Sequence, residues 1–280
     1  MSPFAYHART MRHITLHKPV GRTPLEAIEE WKRANPAYAR VPACYAGRLD
    51  PMAEGLLLVL LGDECKRQER YRNLDKEYEI EVALDLSTDT GDALGMPSYA
   101  DITTAPARRQ VRHALRAETG RKRVPYPAFS SKTVAGKPLF LYALEGTLDA
   151  VSVPEHEEHV HSIKDLGTFA IDAGALRTRI MDLLSRAPRT NQPSKALGAD
   201  FRQDAIRDAW TRLFDSMPDR EFVILKLRVS CGSGTYMRTL AERIGKALGT
   251  EAFALSIRRT KIGKRVRVLG GTGFWIEGLG

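Results

Sequence analysis

Cysteine is scarce. Cys44, Cys65 and Cys231 are odd in number, scattered and without metal-ligand spacing, which predicts reduced thiols in a cytosol-like compartment rather than a disulfide framework. Long hydrophobic runs are missing too. The longest, Leu56–Leu61, falls far below the ~20 apolar residues of a membrane-spanning helix. Met1 to His13 is basic but lacks the apolar stretch of a secretory signal. It reads as a flexible N-terminal arm, residues 1–13, before a folded domain over 14–280. No internal repeat and no long low-complexity tract interrupts that domain. These absences predict a cytoplasmic protein with no membrane partner.

Acid is missing where base is densest. Between Ala105 and Phe140 stand Arg108, Arg109, Arg112, Arg116, Arg121, Lys122, Arg123, Lys132 and Lys137 against Glu118 alone. A second run, Arg258, Arg259, Lys261, Lys264, Arg265 and Arg267, contains no acid. With a net charge of +9 and Tyr126, Phe129 and Phe140 interleaved, a polyphosphate partner fits. A solvated basic face fits as well. The 280 residues, 43% hydrophobic and 28% charged, suffice for one large domain or two ordinary ones.

Thr23-Pro24-Leu25-Glu26 is a capping box with proline at the first helical position, opening a helix that stops before Pro36. Leu25, Ile28 and Trp31 are expected on its buried face. Leu56–Leu61 is a buried strand or helix segment. From Tyr78 to Leu86 apolar and polar residues alternate, predicting a strand with one wet face carrying Glu79, Glu81 and Asp85. Glu221–Cys231 repeats the pattern. Gly232-Ser233-Gly234-Thr235 then turns into a helix bearing Tyr236, Leu240, Ile244 and Leu248, stopped by Gly249. About residues 172–219, two helical patterns flank a linker from Arg186 to Gly198 and read as a helical-hairpin insertion.

Several constellations are candidates for chemistry. Glu155-His156-Glu157-Glu158-His159-Val160-His161 resembles a metal tract, but its histidines share a face only in mutually exclusive conformations; it reads as a polar turn leading into a strand, and no metal site is expected. The Gly232–Thr235 turn could hold a phosphate but lacks the Lys-Ser/Thr ending of a nucleotide-binding loop. Asp50 has more specific company. In Gly47-Arg48-Leu49-Asp50-Pro51-Met52-Ala53-Glu54-Gly55-Leu56-Leu57, a cation, a carboxylate and a rigid proline precede an apolar segment. That places one accessible, fixed acid at the lip of a packed element.

This string resembles the Gly-x-Leu-Asp-Pro-x-Ala-x-Gly-Leu-Leu motif of TruB-type pseudouridine synthases. Five further blocks are similar to that family in the same order: His17-Lys18-Pro19-Val20-Gly21, Lys76-Glu77-Tyr78, Thr88 through Gly95, Pro127 through Leu139, and Ser230 through Leu240. The resemblance covers about Ile14 to Gly263 apart from the helical insertion. It implies an α+β fold, a mixed, largely antiparallel central sheet flanked by helices, with the active cleft across its middle. It implies a catalytic domain over 14–280 interrupted at about 172–219.

The implied reaction isomerises a uridine by cutting its N-glycosidic bond, turning the base and rejoining it through carbon 5. No redox step or energy input is required, so no cofactor is expected. The resemblance makes Asp50 the catalytic carboxylate, Tyr78 a residue stacking on the target base or assisting proton removal, and Arg238 the partner that holds Asp50. Tyr78 also fits as a strand-face core residue. RNA contact is assigned to Lys18, Tyr45, Arg48, Arg121, Lys122, Arg123, Phe129, Lys132, Lys137, Arg258 and Arg259. The expected partner is a structured RNA, by default the T loop of tRNA, with the uridine flipped out of its stack. The chain is expected to act as a monomer, and a protein partner could use the insertion.

Some positions depart from the family. Tyr45 stands where a histidine is common, five residues before Asp50, and Thr133 where lysine is usual. After Gly263 seventeen residues remain, so no C-terminal RNA-binding PUA domain is expected. The alternative reading is an RNA-binding or RNA-folding factor that kept this fold with little or no turnover.

Overall fold

A computed structural model describes residues 11–99, 105–187, 202–267 and 273–276; the linker expected between 186 and 198 falls largely outside them. The strands are β1 (His13–Lys18), β2 (Ala43–Ala46), β3 (Ala53–Leu61), β4 (Asp75–Leu84), β5 (Leu86–Thr88), β6 (Pro97–Tyr99), β7 (Gly120–Pro125), β8 (Thr133–Val134), β9 (Lys137–Pro138), β10 (Glu155–Asp172), β11 (Glu221–Cys231), β12 (Ala252–Arg267) and β13 (Gly273–Ile276). The α-helices are α1 (Pro24–Ala34), α2 (Gln68–Arg72), α3 (Arg108–Ala117), α4 (Leu139–Leu144), α5 (Ala173–Arg186), α6 (Gln203–Ser216) and α7 (Met237–Ala247). The main sheet runs β1-β3-β12-β4-β11-β10-β7, with β2 beside β3 and β13 beside β12. Among the described residues β3–β12 is the one parallel strand pair, so the expected mixed, largely antiparallel α+β architecture is what the chain adopts.

Alternation in the central strands feeds two cores. Tyr78, Ile80 and Val82 of β4 with Leu225, Leu227 and Val229 of β11 pack under α7 and α3 through Leu240, Ile244, Val111 and Leu115. The intervening Ala83, Ile224 and Phe253 meet Leu176, Ile180, Ile206 and Trp210 of the α5–α6 hairpin. The wet face expected from Glu79, Glu81 and Asp85 is therefore only partly wet. Arg179 of α5 pairs with Glu81, and Asp85 is buried at a φ of 68° with Arg220 and Thr250 as partners. The two helical patterns expected at about 172–219 are helices α5 and α6, with Leu176, Ile180, Ile206, Trp210 and Phe214 buried. The hairpin is part of the core rather than an appendage.

Helix α1 has the Thr23–Glu26 capping box, but its buried face is Pro24, Ala27 and Ile28; Leu25 is 50% exposed. The proline occupies the face that the periodicity assigned to leucine. The Leu56–Leu61 segment is strand, held between β1 and β2. The His/Glu tract is strand from Glu155 onward, not a turn, because it is laddered to β7 on one side and β11 on the other. His13, assigned to the arm, already pairs with Leu60 in β1.

Candidate active site

Asp50 sits where the chain enters β3, and buried groups fix its backbone from two sides. The Asp50 carbonyl accepts from Ala53 N–H at 3.0 Å, and the Pro51 carbonyl accepts from Gly21 N–H at 2.9 Å. Lys18 is fully buried, and its Nζ donates to the carbonyls of Pro19 (3.0 Å), Arg22 (2.8 Å) and Pro51 (3.4 Å). Burial lowers its pKa to about 8, with Asp50 opposing the shift and Arg259 adding to it. Arg259 is also buried. It donates to the carbonyls of Leu56 (2.7 Å), Arg48 (3.2 Å) and Gly47 (3.2 Å), bracing the turn from behind. Close β3–β12 contact makes this possible: a Cβ at Gly55, whose φ is 106°, would lie 2.2 Å from the Arg259 carbonyl oxygen.

One cation touches the carboxylate. Arg238 Nε donates to Asp50 Oδ2 at 2.8 Å, with side-chain exposures of 6% for Arg238 and 32% for Asp50. The acid thus stays open while its partner is enclosed. Arg238 lies in the first turn of α7, and its remaining nitrogens donate to the Thr90 carbonyl at 2.6 Å and the Phe129 carbonyl at 3.1 Å. Asp92 Oδ2 stands 3.8 Å from Nε, while Asp92 Oδ1 accepts from Leu94 N–H and the Thr90 hydroxyl, both at 2.9 Å. Burial raises the Asp92 pKa, and Arg238 opposes that rise. The Thr88–Gly95 turn can approach α7 only through Gly91: at φ 75°, a Cβ there would sit 3.0 Å from Arg238 Cβ.

Tyr78 is 8% exposed and belongs to the core under α7, directly across from Val229 and Arg259 in the adjoining strands. Burial raises the pKa of its phenol, keeping it protonated near neutrality. Tyr236, at the start of α7, meets Tyr126 at 6.4 Å and His156 at 5.7 Å edge-on, while Tyr126 and His156 stack at 4.2 Å. Asp50 adds to the burial that raises the Tyr236 pKa.

Of the residues expected to touch RNA, the fold brings some to this site and withholds others. Arg48 is exposed beside it, and Phe129 joins it through its carbonyl, its ring lying 5.0 Å from the Arg202 guanidinium. Lys18 and Arg259 are corrections: both are buried with backbone carbonyls as partners, so neither is a surface cation. The Arg121-Lys122-Arg123 run, also assigned to RNA contact, has acids as its partners. The sheet lays it against Glu155, Glu157 and Glu158 of β10; Arg121 pairs with Glu157, Arg123 with Glu155 at 3.1 Å, and Lys122 with Glu118 at 2.7 Å. Lys137 pairs with Glu145, and Lys132 lies over Tyr126 at 5.0 Å. Arg258 is exposed. Tyr45 is half-buried and packed with the β1–α1 cluster.

Sequence reasoning missed the roles of Asp92, Tyr236 and Arg202. Asp92 and Tyr236 stood inside recognised blocks, so position within a motif was the available signal. Arg202 had none; it reaches Asp89 at 2.8 Å from the start of α6. Among the described residues no cluster of potential metal ligands occurs, and no helix is long and apolar enough to cross a membrane.

A mixed sheet with a half-buried carboxylate held by an enclosed arginine where the chain enters β3 defines the class, and sequence comparison specifies it. Residues 38–180 match the TruB family pseudouridylate synthase (N terminal domain). The chain belongs to the TruB family. It is 31% identical over 253 residues to a tRNA pseudouridine synthase B of Aromatoleum aromaticum, covering 89% of this chain and 62% of that protein. It is 30% identical over 251 residues to the protein of that name from Burkholderia mallei, covering 89% and 64%. The chain thus spans less than two thirds of these relatives' length. A crystal structure of a Cbf5-Nop10-Gar1 complex shares the fold, with a TM-score of 0.51 at 19% identity over 90% of this chain and 48% of that one.

Proposed function

We propose that this protein is an RNA pseudouridine synthase that isomerises a uridine flipped out of a structured RNA, with the T loop of tRNA as its target. The observation that carries this reading is the Asp50–Arg238 pair, an open carboxylate held by an enclosed guanidinium. Family membership and the names of the similar proteins support it.

In this reading Asp50 assists departure of uracil from C1′, as one carboxylate does in retaining glycosidases. The C1′–N1 bond breaks and a C1′–C5 bond forms. The C5 proton leaves and N1 gains one, so atoms balance without redox chemistry or a cofactor. Arg238 orients Asp50 through its Nε hydrogen bond to Oδ2. Tyr78, kept protonated by burial, serves better as a packing surface for the base than as a proton acceptor. Arg48, Phe129 and Lys132 line the approach.

The test is incubation of the purified protein with an unmodified tRNA transcript, followed by pseudouridine mapping. One new pseudouridine in the T loop is expected. Modification elsewhere would displace the substrate assignment, and binding without any isomerisation would favour the RNA-folding-factor reading.

A further inference from the structure

The two halves of the 105–140 basic run have different fates in the fold. Arg121, Lys122 and Arg123 are matched by acids. Arg108, Arg109, Arg112 and Arg116 of α3 are all exposed, and among the described residues none has an acidic partner within 4.0 Å, whereas Glu118 just beyond the helix is engaged by Lys122 and Arg243. Arg109, Arg112 and Arg116 stand at i, i+3 and i+7 on one face of the helix, about 4.5 and 6 Å apart along its axis, and Arg108 flanks them. Like charges at this spacing repel each other. No acid occupies the first turn, where Arg108 and Arg109 also face the positive end of the helix dipole. Helix stability alone disfavours this arrangement; a polyanion laid along the face adds attractions that offset each of these terms.

The face is also well placed. Val111 and Leu115 anchor α3 in the core that contains Leu240 and Ile244 of α7. Arg243 ties the end of α3 to α7 through Glu118 at 2.7 Å. Arg243 lies five residues beyond Arg238, about 7.5 Å along the helix.

We propose that the exposed face of α3 is a phosphate track for the substrate RNA: Arg109, Arg112 and Arg116 bind the sugar–phosphate backbone outside the nucleotide presented to Asp50, whereas Arg121 and Arg123 do not. This rests on the RNA-directed reading above. Phosphate contacts of this kind position an RNA without reading its sequence.

The test measures dissociation constants of the full chain for an unmodified tRNA transcript, and for an unrelated RNA hairpin, as salt is varied. Replacing Arg109, Arg112 and Arg116 together by alanine should lower the slope of log affinity against log salt by about 2 to 3, at roughly 0.7–0.9 per lost contact, for both RNAs. Lysine at the same positions should restore most of the slope, which separates charge from folding. The Arg121→Ala/Arg123→Ala variant should leave it nearly unchanged. An unaltered slope in the α3 variant, with the wild type still binding RNA in a salt-dependent way, overturns the track and leaves the catalytic reading standing. Absence of salt-dependent RNA binding by the wild type overturns both.

Discussion

The arginines around Asp50 and those of α3 are the same residue type put to opposite uses. Arg238 and Arg259 are buried, and every nitrogen that could be left bare is directed at a carboxylate or carbonyl. The α3 arginines are exposed, with no acid paired to them among the described residues. In the first region positive charge organises the chain; in the second it is left for something else to meet. The difference teaches that a cation's role follows from what the fold sets beside it. Local sequence density is a poor guide.

The contrast can be broken first at its foundations. Trp210 is fully buried between Phe214 and Phe253, and its indole N–H donates to the Ala93 carbonyl at 3.1 Å. Through Ala93 the α5–α6 hairpin supports the turn that holds Arg238. Trp210→Ala should cost about 3–5 kcal/mol in urea unfolding. A loss near zero would mean that the hairpin is an appendage after all.

Arg259→Met should come next. It strands three carbonyls behind the Asp50 turn, for a loss of about 3 kcal/mol, read by the same titration. If Arg259 instead served RNA from the surface, the fold would be unaffected and RNA affinity would fall.

The buried lysine offers a pH test. The folded-state pKa of Lys18, about 8, lies below its ordinary value of 10.5. Between those values the unfolded chain binds the extra proton, so this group's contribution to stability rises with pH through that window and is lost as pH falls through 8. The stability of Lys18→Met relative to wild type should therefore decline from pH 8 to 10.5, by at most about 1.4 kcal/mol per pH unit. A flat difference would place Lys18 in water.

The smallest effect is expected on the outer ladder. Arg121 and Arg123 are exposed, with side-chain exposures of 69% and 78%, and removing either pair should change stability by about 0.2–1 kcal/mol. A larger loss would show that the β7–β10 ladder carries more of the fold than surface ion pairs do.

Much of the site was legible in the sequence because its motifs are contiguous. Asp50 lies in one unbroken string, and Tyr78 and Arg238 each fall within a block whose pattern survives translation into strand and helix. The central strands were legible from period-two alternation. The second core was not, because Ala83 and Glu81 look like the polar side of a strand until the α5–α6 hairpin arrives from about ninety residues away. Lys18 and Arg259 misled for a related reason: their partners are backbone carbonyls, which carry no signature in side-chain sequence. The neutralisation of Arg121 and Arg123 depends on the register that sets them diagonally across from Glu157 and Glu155, a tertiary fact.

The central claim is that Asp50 acts as a charged carboxylate, oriented by Arg238, on a flipped uridine. Single-turnover isomerisation of an unmodified tRNA transcript at saturating Asp50→Asn protein tests it most directly, since the amide keeps the shape and removes the charge. The account predicts wild-type RNA affinity and no detectable pseudouridine. Substantial product formed by the pure variant would contradict it.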